Sequence, residues 1–259
     1  MSLVDSQSPV LLEKVVELIN KKVPAPQAHL VADFAKRLYR NIASDDLTNR
    51  HDSDMYGAVL GLWHSFNEYN PGDKALIKVY NPDVPTDGWE SPHTIVEIIQ
   101  SDMPFMVDSV RMALSRLGIT SHLLLHMPIS HKRDKEHQVT ELQKPGTRSK
   151  DNYVDTVFLI EIDRQTSKEE IKTLKKELVS VMEEISLAVQ DWKPMRERLQ
   201  EVAKELDNDF YPGEKVYKDE AKKFLKWLAD DNFTLTGYRE YELSPVKGDY
   251  ELKQIKETS

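Results

Sequence analysis

Any chemistry in this chain has to come from histidines, carboxylates and hydroxyls, because its 259 residues include no cysteine. The missing thiols remove disulfides, thiolate metal sites and cysteine nucleophiles together, and fit a reducing, cytoplasmic compartment. The eight histidines pose the metal question first. His122 and His126 share one face of a predicted strand. Four residues of strand at roughly 3.3 Å each put them about 13 Å apart, too far for one ion. His131 and His137 fall in a polar stretch that reads as loop, and His93 precedes a strand, so no metal site is expected. His122 and His126 become candidates for a sheet face that contacts a partner, the alternative being a plain solvated face. No serine stands in a nucleophile-elbow pattern, and the paired acids Glu183 and Glu184 fall on a predicted helix surface, so no catalytic residue is assigned. The nine glycines form neither GxGxxG nor GxxxxGK, the two common phosphate-cradling loops, so no nucleotide cofactor is expected in this region.

One stretch does hold a candidate binding site: QSDMPFMVDSVRMALSRLGITSHLLLH, residues 100–126. Met103 precedes a proline and should be extended. Pro104 suits a first helical turn, where its missing N–H is not needed. Asp102 is placed to accept hydrogen bonds from that turn, and Asp108 lies within it. Two readings follow. In one, Asp102, Met103, Pro104, Phe105 and Asp108 form an effector site: the free amides hold a carboxylate and Asp102 pairs with an ammonium. In the other, Asp102 and Asp108 are capping and first-turn acids, and Phe105 packs inward or against a neighbouring module.

The elements that must position these residues divide the chain into four. Residues 1–72 read as helices: a start at Ser8-Pro9, a stripe of Val15, Leu18 and Ile19, a second of Leu30, Phe34 and Leu38, and a third from about Asp54. Gly57 and Gly61 in that third helix indicate close packing, and NPGD at 70–73 is a turn. Residues 73–191 run strand, strand, helix, strand, strand, helix, with Ser167 and Glu170 forming a capping box for the last helix. Ile95, Glu97 and Ile99 share one strand face, opposite Val96 and Ile98; buried packing is expected for Trp89. The polar stretch 130–153 reads as an exposed hairpin connection. This order predicts an α+β fold, a mostly antiparallel sheet with both helices on one face in a ferredoxin-like βαββα sandwich. ALIKVYNP (75–82) is the candidate for the edge strand that a standard unit would add last. Residues 192–232 read as further helices: Pro194 kinks or ends the long one, DFYPGE breaks the next, and Ala221, Phe224, Leu225 and Leu228 form a last stripe. Residues 233–259 read as a β-hairpin opening a following domain, as though the chain were cut there.

A net charge of -9 argues against a nucleic-acid or anionic-membrane surface, since both need a basic face. No apolar run approaches the roughly 20 residues of a membrane span.

Strand, SDMPF, helix and LGITSHLL resemble the opening of an ACT domain, whose first loop binds a regulatory amino acid and usually reads acid-x-Pro-Gly; Phe105 stands here at the glycine position. Over nearly the whole chain, GWESPHTIVEIIQSDMPFMVDSV, VFLIEIDR, VQDWKPMRERL and FLKWLADDNFTLTGYREYEL are similar to the N-terminal region of the large bacterial NAD-specific glutamate dehydrogenases. That resemblance implies ACT-like regulatory modules here, a catalytic core and its NAD site far downstream, and a homo-oligomer. The parent reaction it implies takes L-glutamate, NAD⁺ and water to 2-oxoglutarate, ammonia and NADH. Expected partners are the downstream domains, other subunits and an amino-acid effector. A purely structural interaction module without ligand is the alternative, and a free-standing enzyme fits least.

Overall fold

The structure, a computed structural model, describes residues 7–40, 42, 47, 50–147, 149, 152–207, 215–246 and 249–255. They belong to two compact units, Met1–Glu183 and Glu184–Ser259.

In the first unit three helices, α1 (Gln7–Lys22), α2 (Ala25–Leu38) and α3 (Asp52–Glu68), precede β1 (Leu76–Tyr80). A single turn, α4 (Val84–Asp87), leads to β2 (Thr94–Ser101), α5 (Met106–Arg116) and β3 (Ser121–Arg133). Then come β4 (Val139–Leu142), β5 (Tyr153–Ile162) and α6 (Lys168–Glu205), whose first part belongs to this unit. The capping box forms as its sequence requires: the Glu170 amide donates to Ser167 Oγ at 3.1 Å, and the Ser167 amide to Glu170 Oε2 at 3.0 Å.

The five strands lie in the order β1-β2-β5-β3-β4, and every pair is antiparallel. The predicted βαββα core is therefore β2, α5, β3, β5, α6. β1 occupies the outer edge of β2, where a standard unit places its last strand. Both faces of the sheet are covered. Ile95, Ile99, Leu123, Leu125, Met127, Ile129, Val157 and Leu159 share one core with Val15, Ile19, Phe34, Leu62, Trp63 and Phe66 of α1–α3. On the opposite face Val96, Ile98, Phe158 and Ile160 are buried, as are the stripes of α5 (Val110, Ala113, Leu114) and α6 (Leu174, Leu178, Val181). Arg116 of α5 and Glu177 of α6 form an ion pair. With both faces covered, β2 and β5 are almost wholly buried, their polar residues Thr94, Glu97, Gln100, Asp155, Thr156 and Glu161 included.

Two expectations need correction here. Pro104 is not in a first helical turn: α5 begins at Met106, with Phe105 as N-cap. The polar stretch after residue 129 is not simply an exposed connection, because β3 runs on to Arg133 and pairs with β4 across a bulge. Ser130 and His131 are buried at 2% and 0% exposure. The side chain of Arg133 turns inward and donates to the Phe66 carbonyl at 2.7 Å, so a charge run that reads as solvated reaches into the helical layer.

In the second unit α6 continues through Pro194 to Glu205, so the proline does not end it. α7 (Lys215–Trp227), a π-helical turn (Leu228–Asn232) and the predicted hairpin, β6 (Tyr241–Val246) with β7 (Asp249–Gln254), follow. Phe224 does not face inward: it is 58% exposed and its ring stacks on Trp227. The DFYPGE breaker lies outside the described residues.

Candidate functional site

The 101–108 loop leaves the C-terminal end of β2. The Asp102 amide donates to the Val154 carbonyl at 2.8 Å, and its carboxylate accepts the Thr156 hydroxyl at 2.7 Å, which pins the loop to β5. Met103 is half-buried, and Pro104 and Asp108 are exposed. Phe105 does not pack inward: its ring is 49% exposed. Its φ of 72° is left-handed, a conformation that glycine adopts freely and that costs other residues about 1–2 kcal/mol. The backbone thus retains the turn of the acid-x-Pro-Gly pattern with a phenyl ring at the glycine position. Asp102, Met103, Pro104 and Phe105 precede α5, and Asp108 lies in its first turn.

A register shift between Ser121 and Leu123 interrupts the alternation of β3 at His122, while His126 pairs opposite Phe158, so the expected common face of the two histidines is broken between them. His122 Nε2 sits 2.8 Å from Asp163 Oδ1, and its ring lies 4.3 Å from that of His93. Asp163 is held below the usual carboxylate range, chiefly by the Thr120 amide and then by His122. The His126 ring lies 6.0 Å from that of Phe158. Among the described residues no group of three or more His, Asp or Glu could hold a metal ion.

Sequence reasoning missed the polar groups that the helical layer buries against the sheet. Glu97, 1% exposed, accepts Ser65 Oγ at 2.5 Å and Tyr80 Oη at 2.8 Å. Burial raises its pKa against the pull of those two donors. Asp155 and His131 lie 3.3 Å apart in full burial, with Arg133 at 3.9 Å from the carboxylate. Arg133 Nε donates to His131 Nε2, so the imidazole is neutral with its proton on Nδ1, facing the Ile129 carbonyl. Burial pushes His131 down to about 4 and Asp155 up to about 6, the latter against the attraction of Arg133.

Glu161, 5% exposed, is the third buried acid; both its oxygens accept the Arg50 guanidinium, at 2.5 and 2.7 Å. His93 Nδ1 stands 3.5 Å away, and burial keeps that imidazole below its usual pKa. This group opens into a cleft of about 900 Å³ beside the start of α3, walled by Trp89, Met55 and Ala58. Trp89 is buried as expected, against Gly57 of α3. The signal for these acids was legible. Glu97 in IVEII and Glu161 in FLIEI are carboxylates inside apolar strands, and a buried carboxylate demands a partner.

An antiparallel α+β sheet with a βαββα core and a left-handed turn after its first strand defines an ACT-like module. Family comparison agrees: the model for the glutamate dehydrogenase ACT1 domain matches residues 34–178, more than half of the chain. The chain belongs to that family. It is also 33% identical over 247 residues to the NAD-specific glutamate dehydrogenase of Halomonas elongata, an alignment covering 95% of this chain and 15% of that protein. With the NAD-specific glutamate dehydrogenase of Pseudomonas aeruginosa it shares 34% identity over 213 residues, 82% of this chain and 13% of the other. The chain thus spans about one-seventh of the length of these relatives. No helix among the described residues is long and apolar enough to cross a membrane.

Proposed function

We propose that this chain is the non-catalytic regulatory and assembly region of an NAD-specific glutamate dehydrogenase. The observation that carries the reading is the alignment of nearly all of the chain with a small part of such an enzyme, centred on its ACT1 domain. The parent chain would oxidise L-glutamate with NAD⁺ and water to 2-oxoglutarate, ammonia and NADH, with NAD held outside this region. The nine glycines, which form neither phosphate-cradling pattern, support that division of labour. The sandwich would work in the cytoplasm, docked to the remaining domains of its own polypeptide and to other subunits. His122 and His126 are candidates for that interface, and the 101–108 loop for an amino-acid effector. An effector regulates only through different affinities for two states of the enzyme.

A second reading, a structural module without ligand at this loop, is favoured by one observation: a phenyl side chain stands at the left-handed position where the acid-x-Pro-Gly pattern has glycine. Asp102→Ala in the complete enzyme separates the two. The effector reading expects the half-maximal concentration of an activating or inhibiting amino acid to rise about tenfold, the loss of one charge-assisted hydrogen bond. An unchanged response removes the loop from regulation and leaves the structural module. Glutamate oxidation by the 259-residue chain alone would overturn both readings.

A further inference from the structure

We propose that the exposed apolar face of α7 is a docking surface whose occupant is another part of the parent polypeptide, presenting an apolar strip of its own. This occupant rests on the reading of the chain as one region of a much longer enzyme. The face belongs to the second unit alone, so it stands whether or not the 101–108 loop binds an effector.

Helical spacing builds the face. Tyr217 and Phe224 are seven residues apart, and Val216 and Trp227 eleven, so the two pairs form neighbouring rows on one side of α7. That side is turned outward: Val216 is 63% exposed, Tyr217 60%, Phe224 58% and Trp227 49%. The side that packs on its own unit instead carries Lys218 and Lys222 beside Ala221 and Leu225, all half-buried, and Lys222 forms an ion pair with Asp207. A helix serving only its own core would be rotated to bury the aromatic rows. The whole second unit shares this imbalance. Among its described residues four hydrophobic side chains are buried, Ile185, Met195, Ala203 and Ala229, against nine large ones exposed. Its sheet is a single hairpin, β6 with β7, which is marginal in water by itself. So little burial does not offset the entropy of ordering the unit, and a further surface has to complete it.

Charge and length select the occupant. The exposed charged side chains described on α7 are two acids, Asp219 and Glu220, and two lysines, Lys223 and Lys226. That balance lacks the basic excess by which an amphipathic helix holds an anionic membrane, and it gives a strongly acidic peptide nothing to prefer. An apolar protein surface with single charges at its rim fits both the aromatic rows and the mixed charges beside them. A tethered partner is present at high effective concentration, so a face of this modest size suffices to hold it. The relatives possess such a partner: this chain spans about one-seventh of their length, and most of each relative has no counterpart here.

The test is hydrogen–deuterium exchange of the complete enzyme and of the 259-residue chain, read on peptides spanning 216–227. Exchange in the complete enzyme should be slower by about tenfold or more, because covering the face opposes local opening of the helix. Phe224→Glu and Tyr217→Glu lie at exposed positions, so each should leave the Tm of the 259-residue chain unchanged and return α7 of the complete enzyme to the faster exchange. Four results would each overturn the proposal. The first is equal exchange of α7 in the two proteins, and the second is protection that neither substitution reduces. The third is self-association of the 259-residue chain in sedimentation that Phe224→Glu abolishes, which assigns the face to a second copy. The fourth is binding to phosphatidylserine–phosphatidylcholine vesicles that the same substitution abolishes, which assigns it to a membrane. A complete protein that does not oxidise glutamate with NAD⁺ defeats the functional reading whatever α7 does, whereas an active enzyme with unprotected α7 defeats this proposal alone.

Discussion

Phe105 concentrates the tension between local backbone preference and surroundings. A left-handed φ of 72° on an aromatic residue is strained, and with half of its surface exposed the ring recovers little by burial. Relief of about 1–2 kcal/mol of strain, less the roughly 0.5–1 kcal/mol entropic cost of glycine, makes Phe105→Gly stabilising by about 0.5–1 kcal/mol. Urea denaturation measures it. A clear loss of stability would mean that the ring makes contacts outweighing its strain. The loop's chemistry was readable from DMPF, but the left-handed turn was not: proline before phenylalanine equally allows a helix to begin at once, and only the pinning of Asp102 onto Thr156 of β5 decides where α5 starts.

Between elements, α3 approaches the segment carrying Trp89 closely at Gly57. A Cβ on Gly57 would lie 2.3 Å from Trp89 Cγ, so the indole must move. The gain of about 1 kcal/mol from putting alanine in a helix is smaller than the cost of displacing a buried indole, and Gly57→Ala should destabilise by about 1–3 kcal/mol net. Gly61→Ala is the control one turn on. Its Cβ would meet only the ends of Glu97 and Tyr80, each at 3.3 Å, so it should cost less. Denaturant midpoints in the reverse order would refute this packing. The GxxxG spacing signalled a close approach, but not its partner: Trp89 is thirty-two residues away and reaches α3 only because β1 and β2 pair as an antiparallel edge.

Summed over the whole first unit, acids and bases buried between sheet and helices make stability depend on pH in opposing senses. Asp155, with Arg133, His131 and Asp102 around it, keeps its proton to about pH 6 in the folded chain but releases it near 4 when unfolded. The unfolded chain then binds fewer protons, so this group lowers stability as pH rises from about 4 to 6. His131 acts oppositely. The unfolded imidazole takes up a proton near 6.5 and the folded one only near 4, so stability falls as pH drops through that window. Asp155→Asn isolates the first effect. The stability difference between variant and parent should grow in the variant's favour from pH 4 to 6, by about 3 kcal/mol at full extent, and then level off. A difference that stays flat with pH would show that Asp155 is ionised throughout.

The sequence by itself determined the elements and the class of fold. The strand periods, the Ser167–Glu170 box and the terminal hairpin are local facts, fixed by side-chain period, capping and turn chemistry within a few residues. Which layer covers which face was left to the tertiary structure. An apolar strand looks the same whichever helices cover it, so nothing in IVEII or FLIEI tells that α1–α3 close the second face of the sheet. The same holds for the cleft: Tyr39, Arg50, His93, Glu161 and Arg164 are spread over more than a hundred residues, and only the β2–β5 register and the packing of the helices bring them to one place.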